Sequence, residues 1–294
     1  MNKFFTLFFI VLLTFSVNAQ NENENSLLWE ISGNNLEQPS YIYGTIHLIP
    51  KDDFFFYDLW LEKFKTCDVL VLETDIEIGI MKQLSLIPKM QLPNKTTLSD
   101  YMSDKEFAAF NSYLLDSLEI SETNYKVCLT YKPFFAYSLL LNEAIPGKKI
   151  IYEQYLTDEA KKNKMKVVSL ETLDFQLSLV DSISIEDQIK MFLFDYEKIE
   201  QTNLLFEFNK MLELYKKQDL NSIANMESEG EENDFFYERF LVKRNLDWIG
   251  KINAILEKKS AFIAVGAAHL PGNDGVIKLL RDEGYIVKPV LIKE

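Results

Sequence analysis

Along this chain the spacing of apolar residues changes period several times, and each change marks an element. Residues 26–31 and 41–46 are short β-rich runs joined by Ser32-Gly-Asn-Asn35, turn chemistry that predicts two paired strands. Residues 52–65 begin with acids and then place Phe55, Leu59, Leu61 and Phe64 at the spacing of a short amphipathic helix. Val69-Leu-Val-Leu72 is an unbroken apolar run that ends in Glu73, the signature of a strand covered on both faces. From about 81 to 144 the period becomes helical, with Ser103 and Glu106 forming a capping-box match ahead of Phe107, Phe110 and Leu114. Gly147 interrupts it, a helix is predicted over 152–164, and a strand over 166–170 ends in Glu171. Residues 184–256 keep a helical period, broken near Asp219 and by an acidic stretch at 227–234 that reads as a solvated loop. A strand at 261–265, a helix at 275–283 and a strand at 285–292 close the chain.

This order predicts an α/β fold: a central mixed sheet built from split N- and C-terminal β-α-β units, a weak internal duplication, separated by a large helical insertion. The insertion spans about 81–258 and contains one short strand near 166–171. The start, Met-Asn-Lys followed by an apolar run and Val17-Asn-Ala19, has the grammar of a secretory signal. Residues 20–294 are therefore expected as a single mature domain, secreted or periplasmic. The apolar run is shorter than the roughly 20 residues that span a bilayer, and no second run of that length follows, so no stable membrane span is expected in the mature chain. A formal charge of −14 argues against nucleic acid or an anionic membrane surface as partner. Cys67 and Cys128 sit in semi-apolar surroundings and read as buried free thiols, although an oxidising compartment would permit a bridge.

The chemistry concentrates in two places. The chain holds two histidines, and both follow a β-rich run and a glycine: Gly44-Thr-Ile-His47 and Gly266-Ala-Ala-His269. A buried strand ending this way delivers an imidazole to the sheet edge where ligands gather, and two such deliveries point to one shared site. Glu73 leaves its own strand at the same kind of edge, with Asp75 two residues on as a supporting candidate. Glu171 has the same strand-end position, but a helical stretch follows it, and a carboxylate there is equally a helix-dipole partner. No His-x-x-x-His pair is present, so any ligand set must be assembled by the fold. Gly-x-Ser-x-Gly, P-loop and dinucleotide fingerprints are absent as well.

In Tyr43-Gly-Thr-Ile-His47, Val71-Leu-Glu73, Leu170-Glu-Thr-Leu-Asp-Phe-Gln176, Arg244-Asn245 and Val265-Gly-Ala-Ala-His-Leu-Pro-Gly272 the chain resembles the TraB/GumN family. That family is related to the Tiki metalloproteases and, more distantly, to erythromycin esterase and ChaN-like proteins. The resemblance implies metal-dependent peptide hydrolysis, with His47, Glu73, Arg244 and His269 as the matching site positions. On that reading His47, Glu73 and His269 hold a divalent ion, and zinc, manganese and cobalt all suit two imidazoles and a carboxylate. Arg244 would steady an oxyanion, and Asn245 would hold a neighbouring loop or ligand. The expected function is a metal-dependent hydrolase acting on a peptide or small-molecule substrate. Two alternatives keep the same cleft: an esterase-like, metal-independent hydrolase with a histidine general base, and a non-enzymatic module that binds or sequesters peptides.

Overall fold

The computed structural model describes residues 25–77, 79–193, 204–228 and 238–292. The expected signal segment at 1–19 lies outside them, as does the expected acidic loop from 229 onward; its first two positions close a helix.

The strands, in chain order, are β1 (Leu28–Gly33), β2 (Ser40–Thr45), β3 (Leu48–Pro50), β4 (Val69–Leu72), β5 (Lys149–Ile151), β6 (Lys166–Ser169), β7 (Ala261–Gly266) and β8 (Tyr285–Pro289). The helices are α1 (Asp58–Lys65), α2 (Ile80–Met90), α3 (Asp104–Ser112), α4 (Glu122–Thr130), α5 (Pro133–Ala144), α6 (Tyr152–Lys162), α7 (Leu173–Asp181) and α8 (Ile185–Gln188). They continue with α9 (Leu204–Lys216), α10 (Leu220–Ser228), α11 (Lys243–Leu256) and α12 (Val276–Asp282). Among the described residues no helix is long and apolar enough to cross a membrane.

Six strands form one mixed sheet in the order β6-β4-β7-β2-β1-β8. β6, β4, β7 and β2 run parallel, and β1 is antiparallel to both β2 and β8. The sheet thus joins strands from both ends of the chain, with β6 contributed from within the helical stretch. β2, β4 and β7 are buried at every position, the reason their sequences are apolar runs rather than alternations. On the face that carries Tyr43 and Phe262, Trp60 and Phe64 of α1, Tyr152 of α6 and Tyr215 of α9 pack as an aromatic group with ring centroids 5.0–6.1 Å apart. α3, α4 and α5 gather around a separate apolar core that includes Phe110, Leu114, Cys128 and Leu140. Cys67 belongs to the sheet core instead, and both cysteines are buried and unpaired.

Two local features depart from the sequence expectation. The helix expected over 52–65 is a short 3-10 turn at Lys51–Asp53, an extended link, and then α1. The link is extended because Phe54, Phe55 and Phe56 turn into the aromatic group. The second departure is a two-stranded ladder of β3 and β5, antiparallel, pairing Leu48 with Ile151 and Pro50 with Lys149. Three-residue strands carry too few positions for periodicity to reveal. This ladder seats the start of α6 beside His47, where the Tyr152 N–H donates to the His47 carbonyl at 2.9 Å.

Candidate functional site

The parallel strands end at one edge, and each end carries chemistry. β4 and β6 continue into Glu73 and Glu171, still laddered through the Glu171 N–H to the Glu73 carbonyl at 2.9 Å. β2 and β7 are adjacent, with Thr45 opposite Gly266, so the two Gly-x-x-His exits leave side by side. The two glycines serve different purposes. A Cβ on Gly44 would stand 3.0–3.1 Å from Ala267 and Leu270, so its absence lets the second motif's turn close down on β2. A Cβ on Gly266 would instead stand 3.3 Å from His47 Nε2, 3.4 Å from Glu73 Oε1 and 3.5 Å from His269 Cδ2. Gly266 therefore marks the point where the three side chains meet.

His47 leaves β2 with φ 57°, at the centre of a three-residue turn closed by the Leu48 N–H on the Ile46 carbonyl at 2.6 Å. A non-glycine residue in this region is held there by its surroundings, a pattern common at functional sites. Glu153 at the start of α6 supplies the hold: its Oε1 accepts from Thr45 Oγ1 at 2.8 Å and lies 2.6 Å from His47 Nδ1. A carboxylate only accepts, so His47 Nδ1 carries a proton and Nε2 is turned toward Gly266. The charge of Glu153, opposed by desolvation, raises the imidazole to about 9. His47 is the open side of the cluster, its side chain 59% exposed against 9% or less for Glu73, Glu171, Arg244 and His269.

His269 sits on a 3-10 turn, Ala267–His269. Asn245 Nδ2 donates to the carbonyls of His269 and Asp274 at 3.3 and 2.8 Å, so its Oδ1 accepts from His269 Nδ1 at 2.6 Å. The lone pair is therefore on Nε2, which receives Arg244 Nη1 at 3.1 Å. Burial pushes this imidazole down to about 3, against the pull of Glu73, and keeps it neutral. Glu73 is held by the Gly266 N–H at 2.7 Å on Oε1, and by Arg244 Nη2 at 2.5 Å and Gln176 Nε2 at 3.2 Å on Oε2. Burial alone would raise its carboxyl; the neighbouring His269, Arg244 and His47, with the Gly266 N–H, outweigh burial and bring it to about 2. Since His269 is neutral, the lasting positive partners are Arg244 and protonated His47.

Arg244 comes from α11, whose Arg244, Asn245, Trp248, Ile249 and Ile252 form its buried face. Its Nε and Nη2 donate to Glu171 Oε1 at 3.0 and 2.6 Å, and Trp248 Nε1 donates to Glu171 Oε2 at 3.1 Å. Burial opposes the guanidinium charge, but Glu73 and Glu171 more than compensate and raise its pKa. Above this floor opens a cleft of about 390 Å³. One side is polar, with His47, Glu73, Glu153, Gln176 and Arg244; the other is apolar, with Phe134, Phe135, Leu179, Val180 and Phe240 among its residues. A larger depression of about 620 Å³, lined by Asn34, Asp68, Asn253 and Ser260 among others, lies at the opposite ends of the strands and contains neither histidine.

The TraB/PrgY/gumN family model matches residues 27–289, a span that holds both histidine motifs, both strand-end carboxylates and Arg244. The chain belongs to this family. Among curated proteins it is similar to metalloprotease TIKI1 of Danio rerio, 23% identical over 92% of this chain and 64% of that protein. It is likewise similar to metalloprotease TIKI1 of Xenopus tropicalis, 23% identical over 92% of this chain and 63% of that protein. The chain thus spans a little under two thirds of the length of these relatives. No solved structure matches it.

The structure brings His47, Glu73, His269 and Arg244 to one point, with Glu171 and Asn245 directly behind them. Asp75 does not join them. The chain bends at Glu73 and Thr74, so extension stops before Asp75, which is exposed and accepts the Glu77 N–H on Oδ1 at 2.8 Å. Glu153 and Gln176 are site residues that the sequence reading gave no role. Gln176 closes the Leu170–Gln176 motif; Glu153 is one acid among many in a first helical turn, and only the β3–β5 ladder sets it against His47.

The relatives' name implies a metal, and two imidazoles and a carboxylate are a suitable donor chemistry. As arranged here the donors do not form a metal site. Both Glu73 oxygens and the His269 Nε2 lone pair are engaged by Arg244 and the Gly266 N–H. Among the described residues no group of three or more His, Cys, Asp or Glu side chains is placed to hold an ion.

Proposed function

We propose that the chain is a hydrolase of peptides, exported from the cytoplasm, and metal-dependent as the names of its TIKI1 relatives imply. The observation that carries this reading is the meeting of His47, Glu73 and His269 around Gly266, with His47, Glu73 and Arg244 lining a cleft that has an apolar wall. An apolar substrate side chain packs on Phe134, Phe135 and Leu179, and the carbonyl to be attacked lies over Gly266. Once Arg244 Nη1 releases it, the Nε2 lone pair of neutral His269 accepts the proton of the attacking water. Arg244 and protonated His47 offer positive charge to the oxyanion that forms. Glu73 keeps Arg244 and His269 in register, and Glu153 keeps His47.

A divalent ion, whether zinc, manganese or cobalt, enters this proposal through kinship, and Arg244 would have to release Glu73 and His269 before they could hold one. The lack, among the described residues, of three His, Cys, Asp or Glu side chains placed to hold an ion favours a second reading, a metal-independent hydrolase with a histidine general base. Purified chain tested on a peptide library with and without a chelator, alongside elemental analysis, separates the two. Cleavage lost on chelation and restored by one ion supports metal dependence, and cleavage untouched by chelation supports the second reading. A peptide that binds and is never cut overturns both. Export is checked by N-terminal sequencing of the released protein, which should begin at Gln20.

A further inference from the structure

The last rung of the β1–β2 ladder is split. β1 pairs Leu28 with Tyr43, so Leu27 stands opposite Gly44, and the Gly44 N–H donates to the Leu27 carbonyl at 2.9 Å. Residues opposed in this way in an antiparallel pair ordinarily exchange both backbone bonds. Here side chains replace the return bond: the Leu27 N–H donates to Gln218 Oε1 at 3.1 Å, and the Gly44 carbonyl accepts from the Tyr215 hydroxyl at 2.9 Å. Tyr215 lies in the last turn of α9, and Gln218 follows it in the turn where the Gln218 N–H donates to the Tyr215 carbonyl at 2.9 Å. One helix end thus satisfies both backbone groups that it keeps apart.

The Tyr215 hydroxyl gives its one proton to the Gly44 carbonyl, so in its 2.9 Å contact with the Tyr43 hydroxyl Tyr43 is the donor. Burial raises both phenols well above their ordinary value, and both stay protonated. The Tyr215 ring is fixed by Phe55 and Tyr152, with centroids 5.6 and 5.8 Å away. Gly44 opens the motif that ends in His47, and Thr45 and His47 both meet Glu153 Oε1, at 2.8 and 2.6 Å. A site side chain has to be held to within about 0.5 Å of its working position, and the direction in which β2 leaves the sheet at Gly44 decides where His47 arrives. The next helix, α10, packs on the Ala267–His269 turn, so α9 and α10 together touch both histidine exits.

We propose that Tyr215 is a positioning residue for His47: its hydroxyl holds the Gly44 carbonyl out of the β1–β2 ladder, while Gln218 occupies the N–H that would draw it back. The role rests on His47 belonging to the hydrolytic cleft proposed above, and it makes part of the helical insertion a builder of that site. Without the hydroxyl, the end of β2 relaxes toward β1 and the hold of Glu153 on His47 loosens.

Tyr215→Phe in the full chain tests this, with Tyr43→Phe as control. The control removes a neighbouring buried hydroxyl and leaves the Tyr215–Gly44 bond in place. On a peptide that wild type cleaves, Tyr215→Phe should lose at least about ten-fold in kcat, the low end for a residue that orients a site group through another, with KM little changed. Tyr43→Phe should keep a kcat near that of wild type. Proton NMR should show the His47 imidazole titrating lower in Tyr215→Phe than in wild type, and unmoved in Tyr43→Phe. Gln218→Met frees the Leu27 N–H to reclaim Gly44; it should move both readouts in the same direction, and it decides the matter if Tyr215→Phe does not fold. Equal kcat in the two phenylalanine variants, or a His47 titration unmoved in Tyr215→Phe, overturns the positioning role. If wild type cuts no peptide, the hydrolase reading falls, and the titration alone decides whether Tyr215 positions His47.

Discussion

The Arg244 guanidinium reaches Glu73 Oε2 at 2.5 Å while the backbone N–H of Gly266 holds the other oxygen of the same carboxylate at 2.7 Å. Both residues are buried, and Glu171 is buried with them. Removing one member of such a group costs more than the group contributes, because the remaining charges stay out of water. Arg244→Ala should therefore destabilise the chain by about 3–5 kcal/mol and lower Tm by on the order of 10 °C. Glu73→Gln, which keeps a hydrogen-bonding side chain and leaves Arg244 its Glu171 partner, should cost less. Thermal melts that rank the two variants the other way would show that Glu171 alone does not satisfy the arginine.

Stability should peak near pH 6.5 and fall on both sides. His47, raised by Glu153 from 6.5 to about 9, contributes fully below 6.5 and loses that contribution as pH rises through 9. His269 runs the other way: burial lowers it from 6.5 to about 3, so its contribution is complete above 6.5 and is lost as pH falls toward 3. Glu73, brought from 4.5 to about 2, adds to the acid-side loss below 4.5. Calorimetry from pH 3 to 9.5 should show the alkaline fall flattened in His47→Gln, and the acid fall between 6.5 and 3 flattened in His269→Gln.

Gly266→Ala places a methyl group where the three side chains meet. The nearest atom, His47 Nε2 at 3.3 Å, belongs to an exposed side chain that can shift by the few tenths of an ångström required. The backbone there, at φ −54°, accepts alanine without strain. The variant should keep its Tm to within a few degrees and lose at least ten-fold in kcat/KM. A large loss of Tm would instead make this glycine a packing requirement like Gly44.

Glu153→Gln removes the charge that holds His47 protonated while keeping a side chain of the same shape. Proton NMR titration should show the His47 imidazole moving from about 9 back toward its ordinary value, and activity should fall by about ten-fold, the low end for loss of a partner that orients a site histidine. An unmoved titration would mean that Glu153 does not set the charge of His47.

The parts of this fold that were legible in the sequence are those where burial leaves no choice. β2, β4 and β7 are covered on both faces, so their apolar runs announce them, and the repeated Gly-x-x-His marks where two of them end. The Ser103 capping box is present as read, with the Ser103 hydroxyl and the Glu106 carboxylate each accepting the other's backbone N–H. What was illegible depends on distant pairings. Glu171 looks like an ordinary helix-leading acid until Arg244 and Trp248, more than seventy residues away, are folded onto it. Glu153 acquires its neighbour only through the three-residue β3–β5 ladder. Asp75 was misplaced because alternation along a strand holds only while the strand continues, and the chain bends at Glu73.

The measurement that tests the central claim most directly is a double-mutant cycle on peptide hydrolysis, with kcat/KM determined for wild type, His47→Ala, His269→Ala and the double variant. Residues that act as one catalytic unit fail together, so their losses do not multiply. Each single variant should lose at least about 10³-fold, within the range that loss of a catalytic group produces, and the double variant should lose little more than the worse of the two. Losses that multiply across the cycle would mean that the two histidines serve separate sites, and cleavage that persists in the double variant would mean that the Gly266 cleft is not where hydrolysis occurs.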